Sequence, residues 1–173
     1  MIKKGFELLS KESISDMIDL AIKSANDGNG GPFGAMVFNS ETGEIVSVAT
    51  NTVLSSKDPT AHGEINAIRL ACQKLGKSDL RGYSLLTTSE PCPMCMAALK
   101  WAYIDEWGYI ASTKTADIIG FNDINFYKSM KKVMDRKRVK SEYRRLYRYE
   151  DEGLYNKIKQ AFTDYKENNR EMY

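Results

Sequence analysis

The chain contains a single histidine, His62, among 173 residues. That scarcity excludes any site needing two histidines from one subunit. Cysteines number three, an odd count, and the opening MIKKGFELLSKES lacks the apolar core and cleavage site of a secretory signal. Disulfides are therefore not expected, and metal binding or core packing is the better use of the thiols. No apolar run reaches the roughly 18 residues that a membrane-spanning helix needs, so the expectation is a cytoplasmic protein with no membrane association. Prolines are only four, and neither a low-complexity linker nor an internal repeat divides the sequence. One domain over residues 1–173 is expected.

Net charge is +2, too small to indicate nucleic acid by itself. Its distribution is uneven, because Lys128 to Arg148 is densely basic and opposed only by Asp135 and Glu142. A solvated face and a patch for an anionic partner such as RNA both fit that run.

Apolar spacing sets the secondary structure. Ile14, Met17, Ile18, Ala21, Ile22 and Ala25 recur at helical steps, predicting a helix over 10–27 that Gly28, Gly30, Gly31 and Pro32 end. Residues 33–50 read as two strands joined by a turn at 40–43, followed by a polar loop over 51–60. A helix over 61–75, a strand over 83–88, a helix from Cys92 to Trp101 and a strand over 104–111 follow. Residues 113–120 suit a short helix and 121–123 a loop. Beyond Tyr127 the pattern gives a basic strand near 139–149 and a C-terminal helix carrying Leu154, Ile158, Ala161, Phe162 and Tyr165 on one face. The order implies an α/β protein, a three-layer α/β/α sandwich around a mixed sheet of about five strands.

Two short motifs carry chemistry: His62-Gly63-Glu64 and Pro91-Cys92-Pro93-Met94-Cys95. Either alone is weak. A C-x-x-C also fits a redox pair or half a zinc ribbon, and a lone histidine is usually structural. Together, two thiolates and one imidazole make the three ligands that a catalytic zinc keeps while leaving a fourth position open. Cys72 is the only spare thiol, and it falls on the apolar face of its helix beside Ile68 and Leu75, where core packing explains it. A helix N-terminus lowers thiol pKa, which suits Cys92 and Cys95 as ligands. Glu64 lies two residues from His62, placed to move protons to and from water without binding the metal. As a bland alternative it would serve the helix dipole.

The H-x-E and P-C-x-x-C pair is identified as the signature of zinc nucleobase deaminases, and the chain resembles the cytidine deaminase superfamily from its first helix to about Asp123. The nearest resemblance is to small bacterial guanine deaminases. It rests on residues 30–35 (GGPFGA), 58–62 (DPTAH), Ala67-Ile68-Arg69 with Ala71-Cys72, and 90–95 (EPCPMC). Trp101-Ala102, Gly120-Phe121 with Asp123, and the final Tyr173 also match. The resemblance implies a cytidine deaminase-like fold, one zinc ion per subunit and a purine substrate, guanine giving xanthine and ammonia. Phe33 would stack on the ring, Asn51 would hydrogen-bond the base edge, and Asp123 would accept from the ring N–H and amine. Trp101 would wall the pocket. It further implies a homodimer, in which a tail over about 150–173, ending in Tyr173, swaps onto the partner's site.

Two departures bear on the substrate. Gly63 stands where that family usually has alanine, and Asn122 replaces a second acid beside Asp123. A tRNA adenosine deaminase shares the zinc core and would use the basic run, and a guanosine deaminase would read the same base edge. A different class, a non-catalytic zinc-binding module, would not require Glu64.

Overall fold

The computed structural model describes residues 5–104, 106–118 and 123–134. The chain groups into two compact units, residues 1–130 and 131–173. Every described element belongs to the first unit, except that the last turn of the final helix runs into the second. The strand expected near 139–149, the C-terminal helix, the tail from about 150 and Tyr173 lie outside the described residues.

A short 3₁₀ turn at Phe6–Leu8 leads into α1, Lys11–Asn26. Ser10 caps α1, its hydroxyl oxygen accepting from the Ser13 N–H at 3.0 Å. Strands β1, Gly34–Asn39, and β2, Ile45–Thr50, pair antiparallel, with a bulge between Val37 and Phe38. The loop expected over 51–60 contains a four-residue helix, α2, Val53–Ser56. Then come α3, Gly63–Leu75, strand β3, Tyr83–Ser89, and α4, Pro93–Trp101. Strand β4, Glu106–Ala111, and helix α5, Thr113–Ile118, follow. Asp123, expected in a loop, instead begins α6, Asp123–Met134.

The described sheet has four strands in the order β2-β1-β3-β4, one fewer than the expected five. It is mixed, since β1 pairs antiparallel with β3, whereas β3 and β4 run parallel. Strand alternation splits the interior into two cores, one per face. Ala35, Val37 and Leu85 face α3 and α4, packing with Ala67, Ala71 and Leu99. Met36, Phe38 and Leu86 face the other way, onto Leu9 and Met17 of the α1 side. Cys72 packs at the margin of the first core, as its spacing predicts, and burial pushes its thiol pKa up. This sandwich places the N-termini of α3 and α4 on one face of the sheet. Among the described residues no helix is long and apolar enough to cross a membrane.

Candidate active site

Both motifs sit at helix starts. His62 is the N-cap of α3 and Cys92 the N-cap of α4, each with extended backbone and neither using its side chain as a cap. Serine, threonine, aspartate or asparagine would normally stand there, so these two positions are committed to something else. Proline at the first position of α4 suits a turn whose N–H has no helical partner.

The three donor atoms form a nearly equilateral triangle. His62 Nδ1 lies 3.7 Å from Cys92 Sγ and 3.6 Å from Cys95 Sγ, and the two sulfurs are 3.6 Å apart. Tetrahedral bonds of about 2.3 Å to sulfur and 2.0–2.1 Å to nitrogen impose ligand separations of about 3.6–3.8 Å. The donor set therefore fits zinc, and no other group of three histidine, cysteine or acidic side chains gathers among the described residues. Cys92 and Cys95 are buried. The hydrogen bond they share holds the Cys92 thiol down, to about 4, and pushes Cys95 well up. In the metal-free pair the two thiols thus hold one proton between them.

Glu64, at the second position of α3, is buried beside this triangle, and that burial pushes its carboxyl pKa up. The loop delivering His62 is anchored from several sides. His62 N–H donates to Thr60 O at 2.7 Å and Thr52 N–H to Ala61 O at 2.9 Å. Asn66 Nδ2 reaches Thr50 O, Thr52 Oγ1 and Ala61 O at 2.9, 3.0 and 3.3 Å. Asn66 has no signature in spacing, and its role is visible only once the loop folds over α3.

A cavity of about 520 Å³ opens over His62, Glu64 and Cys92, a size within the range of small-ligand sites. Phe33 and Asn51 line it. Asn51 Oδ1 accepts the Val53 N–H at 3.0 Å, which leaves the amide nitrogen as the end able to donate to a ligand. The Asn51 N–H donates to Phe33 O at 2.8 Å, which ties the two lining residues together. Pro59, Thr87, Ser89 and Glu90 also line the cavity, and sequence reasoning assigns none of them. Thr87 and Ser89 fall on the same face of β3 as the core residue Leu85, which is the one signal that points there.

Trp101 is not in this group. It ends α4 with 71% of its surface exposed and borders a separate shallow groove with Ala97, Lys100 and Tyr103. Asp123 is placed by its backbone at the start of α6.

Comparison with known proteins agrees with the geometry. The family profile of the cytidine and deoxycytidylate deaminase zinc-binding region matches residues 10–111. A guanine deaminase of Bacillus subtilis is 40% identical over 122 residues, 70% of this chain and 77% of that protein. The X-ray structure of guanine deaminase from Bacillus subtilis superposes with a TM-score of 0.78 at 33% identity, covering 95% of this chain and 99% of that one. A tRNA-specific adenosine deaminase of Aquifex aeolicus is 45% identical over 75 residues, 43% of this chain and 48% of that protein.

Proposed function

Because the chain belongs to the cytidine and deoxycytidylate deaminase family, we propose that it hydrolyses guanine to xanthine and ammonia. It is a zinc-dependent hydrolytic deaminase. The observation that carries the substrate is the cavity itself, in which His62, Cys92, buried Glu64, Phe33 and Asn51 line one space large enough to admit a purine base. The likeness to guanine deaminase over nearly the whole chain supports the same reading.

His62, Cys92 and Cys95 would hold the zinc ion. Bound there, zinc supplies the Lewis acidity that makes water nucleophilic near neutral pH. Phe33 offers an apolar face to the purine ring. Asn51 donates to an acceptor on the base edge, and Asp123 accepts from the ring N–H and exocyclic amine. Glu64 takes the proton of the attacking water and passes it to the adjacent ring nitrogen. It then moves a proton to the departing amine, so that guanine and water become xanthine and ammonia. A raised pKa suits a carboxyl that must be protonated and deprotonated in one cycle.

The exposed apolar patch of Trp101, Tyr103 and Ala97 supports a homodimer, since contiguous apolar surface marks interaction sites. Three free thiols, two of them at the metal site, support a reducing, cytoplasmic location.

The test is a substrate panel of guanine, guanosine, adenine, cytosine and a tRNA anticodon stem-loop, assayed for ammonia. Guanine is expected to be turned over at least tenfold faster than the others. Activity on the stem-loop with none on guanine would establish the tRNA reading instead.

A further inference from the structure

Glu90 and Pro91 join β3 to Cys92, and each makes a tie that the chemistry above does not use. Glu90 Oε2 accepts the N–H of Thr113, the first residue of α5, at 3.0 Å. The Glu90 N–H donates to Ala111 O, just before α5, at 2.8 Å. Pro91 is fully buried, and its carbonyl accepts the hydroxyl of Tyr127. That hydroxyl also lies 4.0 Å from Met96 Sδ of α4. Tyr127 stands four residues after Asp123, about one turn into α6. The helices on both sides of residues 119–122 are therefore fastened to the two residues that precede Cys92.

Glu90 and Tyr127 stand outside both apolar cores. A buried carbonyl left without a donor is costly, and the Tyr127 hydroxyl satisfies that of Pro91. We propose that Tyr127 and Glu90 are positioning residues for base recognition: they set the start of α6, and with it Asp123, at a fixed place relative to Cys92. The proposal rests on the reading of Asp123 as the carboxylate that accepts from guanine. Misplacing a recognition group by about 1 Å can cost on the order of a hundredfold, which makes such a tie worth having.

The experiment compares Tyr127→Phe, Glu90→Ala, Glu90→Gln, Asp123→Asn and the double variant Tyr127→Phe/Asp123→Asn as zinc-loaded enzymes. Losing one hydrogen bond corresponds to about a five- to tenfold change. Tyr127→Phe and Glu90→Ala are expected to raise KM for guanine by that factor, with kcat within about twofold and zinc content unchanged. Glu90→Gln, which keeps an oxygen for the Thr113 N–H, should recover most of the loss. The double variant should be no worse than Asp123→Asn, because Tyr127 acts through Asp123.

If Asp123→Asn raises KM while Tyr127→Phe does not, the positioning role is wrong and the base reading stands. If Tyr127→Phe instead lowers kcat together with zinc content or melting temperature, the residue is merely structural and the proposal fails. If Asp123→Asn leaves KM unchanged, the base reading itself falls, and the proposal with it.

Discussion

Gly30 and Asn51 compete for one space. A Cβ on Gly30 would stand 2.1 Å from Asn51 Oδ1 and 3.0 Å from both Asn51 Cγ and the Asn51 carbonyl oxygen. Gly30 is not among the glycines with positive φ, so the position demands glycine for room and not for backbone freedom. Gly30→Ala should expel the Asn51 side chain and break its bond from Val53. If Asn51 donates to the base, kcat/KM for guanine should fall about 5–150-fold, the worth of a lost buried hydrogen bond of about 1–3 kcal/mol. Zinc content should not change. Asn51→Ala should fall as far, and the double variant little further. Wild-type kinetics for Gly30→Ala would show that Asn51 does not read the substrate.

Glu64 gives a prediction of a different kind. Glu64→Gln keeps the size and the helix position but cannot carry a proton. Metal content should stay at one zinc per chain, while deamination drops about 10²–10⁴-fold, the usual worth of general acid–base catalysis. Unchanged turnover would move the proton-carrying role to another group. Loss of zinc along with activity would instead make Glu64 part of the metal site.

Much of the fold is legible in the sequence because period and caps agree. Met17 and Ala21 mark the buried face of α1, and the alternation from Ala35 to Phe38 assigns side chains to two cores. Residue type and spacing are enough to find His62, Cys92 and Cys95, since metal ligation is local chemistry that two helix starts bring together. Helix α2 is not legible, because four residues are too few for a period and its N–H groups are held by Asn51 Oδ1 and the Asn29 carbonyl. Helix α6 is hidden although Ile124, Tyr127 and Met130 recur at three-residue steps, as Lys128, Lys131 and Lys132 read as part of a basic run. Trp101 shows a further limit. A role implied by resemblance alone gives no account of a side chain that this subunit leaves in solvent.

Gly108 tests the opposite face of the sheet. A Cβ there would meet Phe6 Cε1 at 2.8 Å, and the Phe6 ring packs edge-on against Phe38 with centroids 5.2 Å apart. Gly108→Ala must push Phe6 off Phe38 and loosen the start of the chain from the sheet. Overpacking of this kind costs about 1–3 kcal/mol, or roughly 2–4 °C in melting temperature per kcal/mol for a chain of this size. Guanine kinetics should be unaffected, since Phe6 packs with the core on the α1 side. A variant as stable as the wild type would mean that Phe6 is free to yield.

Cys92 and Cys95 fix how metal binding responds to pH. In the metal-free pair the shared hydrogen bond lowers Cys92 to about 4 and raises Cys95. At neutral pH the pair holds one proton that zinc must displace. The sign follows: protons compete with the metal, so affinity rises with pH, by about tenfold per unit where one proton is released. Below about pH 4 Cys92 protonates as well, and the dependence should steepen. Competition titrations against a chromogenic chelator at about pH 6, 7 and 8 measure the slope directly. The Cys95→Ser variant should lose both the affinity and most of the slope. A pH-independent affinity would mean that both thiols are already deprotonated in the empty site, and that they do not share a proton.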